Sequence, residues 1–388
     1  MAGQRLYLDY AASAPACEAS LAAERAYEQS DYAGANPNSL HTLGRQAARA
    51  LDGARADLAR CLGGGFRPSD VTFTSGGTES NNLALWGLAE GARSRDRRRT
   101  RVVLSAIEHD SVLDVAPSLR DRGFEVSLAP ANREGVVTPE AVSALLGSDV
   151  ALVSVMAANN ETGIMQPIGA IGRACHQAGA LMHTDAVQAF GRVPLDLGEV
   201  DAVSIAAHKI GGPVGVGALV VRPRVSLRPQ SFGGGQEQGR RAGTQDVRGA
   251  LAFAAAAKDC VEHRDERLQA VSERAQRLQE ALCGPDTGIH ATVDLPYGTG
   301  RLPGLVSLLV EGVDSETLVL KLDEAGYEVS AGSACSSGKL DPSHVLLAMG
   351  IPRNDAFNSL RVSFDERVST EELGGFAATL LGIAQKRK

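Results

Sequence analysis

The feature that most constrains the fold is a repeated alternation of short, largely apolar runs with longer helical segments. The runs VTFTS, RVVLS, VALVS and LMHTD lack the strict alternation of apolar and polar residues that a half-exposed strand has. Strands of this kind are typical of a parallel sheet that is covered by helices on both faces. Because a helical segment follows most runs, the sequence predicts an α/β fold.

The helix predictions rest on apolar residues at helical spacing and on start and stop signals. Pro139 stands in the first turn of one predicted helix, and Gly179 ends another. The sequence predicts one strand over residues 6–12 and a single helix over 111–123. Further predicted helices cover residues 18–30, 78–90, 138–146, 168–178 and 315–325, together with a long helix that ends near residue 62.

A compositional break near Arg248 predicts two domains. An Ala-, Arg- and Glu-rich helical stretch runs from there to residue 282, and a less regular mixture of strands and helices follows. We therefore expect a large domain over residues 15–250. Residues 1–14 and 251–388 are expected to form a smaller α+β domain.

Composition excludes several classes of protein. The chain has 388 residues, 44% of them hydrophobic and 22% charged, which is typical of a soluble globular protein. Its net charge of −7 argues against a general nucleic-acid binder. No segment approaches the roughly 20 apolar residues that span a bilayer, and no signal peptide is expected. The basic run over residues 93–101 is interpreted as a solvated loop; the alternative is a docking patch for an acidic partner or RNA.

Six cysteines are scattered at positions 17, 61, 175, 260, 283 and 335. Their spacing matches neither a metal site nor a disulfide framework, so a reducing cytoplasm is expected. Five are interpreted as small hydrophobic residues. Cys335 differs, because the segment SAGSACSSG around it holds no bulky side chain that would pack in a core. We therefore predict an exposed nucleophile on a loop.

A lysine stands at the end of another apolar run. Residues 200–207 lead directly to His208 and Lys209, which precede a glycine-rich turn. Desolvation lowers the pKa of a lysine and frees its amine to form a Schiff base with a carbonyl. The alternative is that Lys209 extends to solvent, which most lysines do.

Two further motifs favour the Schiff-base interpretation of Lys209 over a lysine that extends to solvent. Asp185 ends the strand LMHTD, and the segment SGGT before residue 79 joins a strand to a helix start, where a phosphate is favoured. An amine, an acid and a phosphate cradle at strand ends are what pyridoxal 5′-phosphate (PLP) needs. The alternative for Asp185 is a helix N-cap.

Other strand ends carry further candidates. His109 would stack on a cofactor ring and move protons, although a surface histidine is the simpler interpretation. Asn159 and Asn160 would reach a cofactor or a substrate carboxylate, although asparagine is also common in turns. Arg361, inside the apolar strand SLRVSF, would bind a carboxylate in bidentate fashion, and the alternative is a structural salt bridge.

Together these motifs resemble a known family. The resemblance is to the NifS/IscS-like branch of the cysteine desulfurases, PLP enzymes of fold type I in the class V aminotransferase superfamily. It is collinear from about residue 6 to residue 365. It implies a large domain with a mainly parallel, seven-stranded sheet and a smaller α+β domain that carries the cysteine loop. The segments that carry it are YLDYAASAP, NPNSLHTLGR, FTSGGTESNN, EHDSV, VSVMAANNETGIMQPI, HTDAVQAFG, AAHKIGGPVGVGAL, GGGQEQGRRAGTQD, SAGSACSSG and SLRVSF.

The resemblance also implies roles for individual residues. Lys209 is the Schiff-base lysine, Asp185 the partner of the pyridine nitrogen, and His109 the stacking acid–base group. Cys335 is the nucleophile that accepts sulfur. The remaining implied contacts are Gln188 to the ring oxygen, Gly77, Thr78 and His208 to the phosphate, Thr244 to the phosphate of the other subunit in a homodimer, and Asn160 and Arg361 to the substrate carboxylate.

The implied reaction converts L-cysteine to L-alanine and leaves a persulfide on Cys335. Sulfur then passes to a protein acceptor that serves iron–sulfur cluster assembly, tRNA thiolation or DNA phosphorothioation. Ala206 departs from the family pattern, since many relatives have a phosphate-binding serine there. The alternatives are a selenocysteine lyase, another class V aminotransferase-like enzyme, or a non-catalytic sulfur-relay protein.

Overall fold

A computed structural model describes residues 5–332 and 341–385. Its strands are β1 (Leu6–Tyr7), β2 (Val71–Thr74), β3 (Arg101–Ser105), β4 (Glu125–Ala129), β5 (Val150–Ser154), β6 (Leu181–Asp185), β7 (Ala202–Ala206), β8 (Gly217–Val221), β9 (Ile289–Ala291), β10 (Leu305–Val310), β11 (Tyr327–Glu328), β12 (Ser330–Ala331) and β13 (Ser359–Ser363).

The helices connect and cover these strands. They are α1 (Glu18–Glu28), α2 (Thr42–Leu62), α3 (Gly77–Arg95), α4 (Asp110–Leu113), α5 (Ala116–Asp121), α6 (Pro139–Ser143), α7 (Ile168–Gln177), α8 (Val247–Glu262), α9 (Arg264–Leu282), α10 (Ser315–Glu324), α11 (His344–Ala348), α12 (Arg353–Ala356) and α13 (Thr370–Gln385).

The large sheet has seven strands in the order β2-β8-β7-β6-β5-β3-β4. Neighbouring strands from β7 to β4 are parallel, whereas β8 runs antiparallel to both β7 and β2. The predicted α/β fold with a mainly parallel, seven-stranded sheet is therefore confirmed.

Alternate residues of the apolar strands pack on opposite faces of this sheet. In β3, Val103 belongs to the core that includes α2, α7 and α8, whereas Val102 and Leu104 belong to the core beneath α3. Both faces are thus covered by helices, which explains why the strands are apolar throughout.

The second part of the chain has its own core and its own sheet. Strands β12, β13, β10 and β9 form a four-stranded sheet in that order, and β1 pairs with β11 beside it. A separate hydrophobic cluster joins this sheet to α9, α10 and α13 and includes Leu8 and Tyr10 from the start of the chain. We propose that this cluster defines the small domain.

The long helical stretch contributes residues to both hydrophobic cores. The predicted boundary at residue 250 falls within α8, whose buried residues Phe253 and Ala257 pack in the core of the large sheet. The stretch breaks at His263, between α8 and α9. We propose that the small domain begins there.

Two predicted elements have different extents. Of the strand predicted over residues 6–12, Leu6–Tyr7 pairs with β11, and Asp9 makes an isolated bridge to Ser363. The chain then turns, because the Asp9 carbonyl accepts from the N–H groups of Ala12 and Ser13. The single helix predicted over 111–123 is divided into α4 and α5. Pro117 lies in the first turn of α5 and has no N–H to continue the hydrogen bonds of α4.

The basic run over residues 93–101 is tied to the body of the protein. Arg95 donates to the carbonyl of Arg224, Arg99 to that of Val150, and Arg101 pairs with Asp149 at 2.8 Å. These contacts favour the loop interpretation over a docking patch. Across the two described ranges, every helix is too short or too polar to cross a membrane.

Candidate active site

The carboxyl ends of six strands, β2 to β7, meet at one edge of the large sheet. Because β8 is antiparallel to both of its neighbours, β2 and β7 run in the same direction as β3, β5 and β6. Ligands of open α/β sheets bind at this edge. The candidate residues that reach it are Gly77, Thr78, His109, Asn160, Asp185, His208 and Lys209.

A cavity of about 250 Å³ lies at this edge. Gln188 and Arg361 complete its polar wall, and Ala11, Ala12 and Met156 contribute to the rest. Residues from the beginning, the middle and the end of the chain therefore enclose one space. Thr244 is exposed and does not line it.

The start of α3 forms one end of the cavity. Its N-cap is Gly76, which has no side chain to satisfy the first N–H groups of the helix, so these groups suit an anion. A Cβ atom at Gly77 would lie 2.7 Å from Val187 Cγ2, and one at Gly217 would lie 2.7 Å from the carbonyl carbon of Gly76. Glycine is therefore required for this close approach. Ala206 borders the same turn, with its Cβ 3.8 Å from the Cβ position of Gly77.

Asp185 is buried against neutral hydrogen-bond donors. Asn81 Nδ2 donates to its Oδ2 at 2.6 Å, and the backbone N–H of Val187 donates to its Oδ1 at 2.9 Å. These bonds hold the carboxylate without neutralising it. A buried carboxylate whose hydrogen-bond donors are neutral suits a cationic ligand group.

His109 caps the short helix α4. The backbone N–H of Ser111 donates to His109 Nδ1 at 3.0 Å, so the neutral ring carries its proton on Nε2. Ser111 Oγ lies 2.9 Å from the same nitrogen and 2.8 Å from Asn81 Nδ2. A hydrogen-bonded chain thus links His109 through Ser111 and Asn81 to Asp185.

Lys209 lies in the turn after β7 and reaches the start of the chain. Its Nζ donates to the carbonyls of Ala11 at 2.6 Å and Ala12 at 2.8 Å. Gln188 Nε2 donates to the same Ala11 carbonyl at 2.9 Å. Residues 11–12 therefore fix the position of the amine relative to the cavity.

His208 is held in its neutral form. Burial lowers the pKa of His208 to about 4, and the charges of Lys209 and Arg192 add to the effect. A neutral imidazole has one N–H that can donate to a phosphate oxygen.

Arg361 forms the other end of the cavity. Its side chain is 2% exposed, pairs with Asp9 at 2.8 Å and donates from Nη1 to the carbonyl of Asn160 at 3.0 Å. Its Nε is buried and, within residues 5–332 and 341–385, has no hydrogen-bond partner. The salt-bridge alternative is thus correct in part, because the pair exists, yet the guanidinium also lines the cavity.

The two neighbouring asparagines have different surroundings. Asn159 is fully buried, accepts from the N–H groups of Glu161 and Thr162, and donates to the carbonyl of Ile107. It therefore holds the turn after β5. Asn160 lines the cavity instead. The turn interpretation therefore applies to Asn159, and the cavity interpretation applies to Asn160.

The cysteines also differ in their exposure. Cys335 lies outside the described residues. Of the other five, only Cys175 is fully buried, and the rest are partly exposed. Burial raises the pKa of Cys175 and of Cys260 to about 12, so neither is a thiolate at neutral pH.

Three residues that support the site were not identified from the sequence. Asn81 stands four positions after Gly77 on the same face of α3, a spacing that would have indicated it. Ser111 follows His109 by two positions. Arg192 donates to the Lys209 carbonyl at 2.7 Å and to Gln188 Oε1 at 3.3 Å. No local signal points to Arg192.

Comparison with known proteins identifies similar sequences and structures. The aminotransferase class-V family matches residues 6–376. An IscS-like cysteine desulfurase of Mycobacterium tuberculosis is 41% identical over 367 residues, covering 92% of this chain and 90% of that protein. Cysteine desulfurase IscS of Dictyoglomus turgidum is 35% identical over 390 residues, covering 99% and 95%. Among solved structures, a NifS-like protein has a TM-score of 0.89 and 33% identity, covering 99% of this chain and all of that one.

The fold and the site therefore define a PLP-dependent enzyme of fold type I, and the chain belongs to the class V aminotransferase family. Within that family it belongs with the cysteine desulfurases of the IscS- and NifS-like branch. Its activity is that of a cysteine desulfurase.

The cavity fits the cofactor of this family. The uncapped start of α3 suits a phosphate, and Asp185 suits a protonated ring nitrogen. Lys209 supplies the amine at the same wall. The buried Asn81 Oδ1 and Arg361 Nε also have no partners among the described residues, as expected of groups near a ligand site.

Proposed function

We propose that this desulfurase removes sulfur from L-cysteine with Lys209 as its base and Cys335 as its sulfur-accepting thiol. The observation that carries the proposal is the convergence of three groups on one cavity. The amine of Lys209, the carboxylate of Asp185 and the guanidinium of Arg361 line the same space of about 250 Å³.

The roles follow from the chemistry of each group. PLP bound in the cavity would accept the electron pair of the substrate Cα–H bond. Lys209 would bind the cofactor and then take the α-proton, and Asp185 would keep the ring nitrogen protonated. His109 would stack on the ring, and Gln188 would donate to the ring oxygen. Gly77, Thr78 and His208 would hold the phosphate, with Ala206 leaving one contact fewer than in many relatives.

Arg361 and Asn160 would hold the substrate carboxylate. A guanidinium, whose N–H donors form a planar fork, suits bidentate binding of a carboxylate. Its existing bonds to Asp9 and to the Asn160 carbonyl fix its plane before the substrate arrives. Binding would therefore need little reorganisation.

The sulfur step needs no external oxidant. The thiolate of Cys335 forms a bond to the substrate sulfur while the Cβ–S bond breaks and leaves its electron pair on the carbon side. Protonation there gives L-alanine, and the former substrate sulfur remains on Cys335 as a persulfide. One thiol and one cysteine thus become one persulfide and one alanine.

We further propose a homodimer in which each subunit completes the site of the other. Thr244, which the resemblance assigns to the phosphate of the partner's cofactor, is exposed in the single chain. Large apolar side chains are also exposed, with Leu40 at 88%, Val214 at 79% and Phe232 at 84%. Such exposure is typical of interface surfaces, and sedimentation equilibrium would test it.

The acceptor of the persulfide sulfur belongs to the proposal as well. A protein that serves iron–sulfur cluster assembly is the first candidate, because the relatives carry the name IscS. Enzymes of tRNA thiolation and DNA phosphorothioation are the others. The reducing conditions that a free thiol nucleophile needs favour a cytoplasmic location.

Two variants test the core of the proposal. Lys209→Ala is expected to lose alanine formation by more than about 1,000-fold and to change the visible absorption of the cofactor. Cys335→Ala is expected to retain that absorption but form no persulfide, measured by mass spectrometry after one turnover. Persulfide formation in the Cys335→Ala enzyme at the wild-type rate would contradict the assignment.

A further inference from the structure

Two buried glutamates stand next to residues of the site. Glu108 directly precedes His109, and Glu161 directly follows Asn160. Glu108 is fully buried and Glu161 is 5% exposed, and neither lines the cavity. A buried carboxyl group is costly unless hydrogen bonds compensate for lost hydration. The positions of these two groups therefore need an explanation.

The Glu161 carboxyl group binds the residue that begins α11. Ser343 Oγ donates to Glu161 Oε2, and the same Oγ accepts from the backbone N–H of Leu346 at 3.2 Å. Ser343 is thus both the N-cap of α11 and the contact of α11 with the turn after β5. It is 1% exposed, so water does not compete for these bonds. Burial raises the pKa of Glu161.

Glu108 provides a second contact with the same helix. His344 Nε2 donates to the main-chain carbonyl of Glu108 at 2.9 Å. The Glu108 side chain accepts from Ser105 Oγ at 2.5 Å and from the N–H of Met156, which lines the cavity, at 2.6 Å. Burial raises the pKa of Glu108 to about 8. The start of α11 is therefore joined to the two turns that present His109 and Asn160.

This attachment has a consequence for the sulfur step. Ser343 follows Cys335 by only eight positions. The Glu161 contact therefore fixes a point of the chain that is close in sequence to the accepting thiol of the proposed function. The orientation of a reacting group affects rate strongly, and a misplacement of about 1 Å can cost roughly 100-fold.

We propose that Ser343 and Glu161 are positioning residues for sulfur transfer, and that their hydrogen bond fixes the start of α11 relative to the cavity, eight positions along the chain from Cys335. The His344–Glu108 contact supports the same attachment. The inference rests on the proposed function, since it assumes that Cys335 is the accepting thiol. It assigns to these residues a role in the step after cysteine binds, not in binding the cofactor.

The test uses the full-length, PLP-loaded enzyme and the variants Ser343→Ala, Ser343→Thr and Glu161→Gln. Ser343→Ala is expected to slow persulfide formation in a single turnover by about 10-fold, whereas KM for L-cysteine and the cofactor absorption spectrum stay unchanged. Ser343→Thr keeps the hydroxyl and is expected to restore the rate to within about 2-fold. Glu161→Gln keeps an accepting oxygen and should fall between them.

A matched control is available at another helix start. Ser369 also accepts from a helix N–H, that of Glu372, and its hydroxyl donates to the Glu372 carboxylate at 2.7 Å, but it lies at the exposed start of α13. Ser369→Ala removes a comparable cap and is expected to leave persulfide formation unchanged. An equal loss in Ser369→Ala, a wild-type rate in Ser343→Ala, or a parallel rise in KM would overturn the inference. Absence of persulfide from the wild-type enzyme would instead refute the proposed function.

Discussion

Two cavities meet at Lys209, and the candidate site is the smaller one. The cavity at the sheet edge has about 250 Å³, whereas a second cavity between α1, α8 and the small domain has about 430 Å³. Lys209 lines both. The larger cavity has more charged side chains, among them Asp259, Arg267 and Asp365. Volume and charge alone would therefore select the larger cavity rather than the candidate site.

The two cavities differ in how their charges are compensated. In the larger one, Arg267 pairs with Asp259 at 2.8 Å and with Glu366 at 2.9 Å, and Arg367 pairs with Asp365 at 2.5 Å. In the smaller one, Asp185 accepts from an amide and a backbone N–H, its two hydrogen-bond donors among the described residues. A carboxylate held by neutral donors can still attract a cationic ligand, whereas the acids Asp259, Glu366 and Asp365 of the larger cavity already have cationic partners.

The largest expected effect compares one acid from each cavity. Asp185→Asn removes the buried carboxylate while keeping its shape, and we expect alanine formation to fall by at least about 100-fold, because the ring nitrogen loses its charged partner. Asp365→Asn is the matched change in the larger cavity and should stay within about 2-fold. Steady-state alanine assays on both variants measure the difference. Equal losses would show that the comparison of charges is mistaken.

A smaller effect compares two arginines. Arg361→Lys keeps the charge but loses bidentate geometry, so we expect KM for L-cysteine to rise by roughly 30-fold with kcat less affected. Arg367→Lys, in the larger cavity, should leave KM within about 2-fold. Thermal unfolding of both variants checks that the fold is intact. If KM rose in Arg367→Lys but not in Arg361→Lys, the result would instead assign substrate binding to the larger cavity.

The smallest expected effect concerns the strand that carries Asp185. His183 in β6 is fully buried between Ser154 and Ser204, and burial lowers the pKa of His183 to about 3. The unfolded chain binds this proton near pH 6.5, whereas the folded protein does not bind it until about pH 3. Stability is therefore expected to fall below pH 6.5, by roughly 1 kcal/mol per pH unit from this group.

Urea unfolding of the cofactor-free protein at several pH values between 4 and 7 measures this slope. His183→Asn cannot take up the proton and should give a flatter dependence, whatever its absolute stability. A slope in His183→Asn equal to that of the wild type would assign the pH dependence to other groups.

Much of the fold was predictable because its signals are local. The run LMHTD ends at Asp185 in the sequence and in the structure, and the glycines before Thr78 begin α3 within one residue of the prediction. The parallel arrangement then followed from connectivity, since strands separated by helices run in one direction. The candidates Gly77, Asp185 and Lys209 were consequently expected at one edge, and they lie there.

The remaining features depend on contacts between distant parts of the chain. The start of the chain pairs with β11 and then bridges Ser363, both more than 300 positions away, and α8 and α9 on either side of His263 pack in two different cores. No window of sequence contains these partners. The extents of such elements are therefore set by tertiary contacts rather than by local propensity.

The sequence by itself determined which residue types stand at the strand ends. The signals that end a strand and begin the next helix lie within a few positions of each other, so they can be identified locally. Only the tertiary structure decided what faces them. Arg361 meets Asp9 across 352 positions and the Asn160 carbonyl across 201, and Ser343 meets Glu161 across 182. The physical reason is that a buried charge or hydroxyl takes its partner from whatever the packed chain brings within hydrogen-bond distance, and sequence separation does not enter that energy.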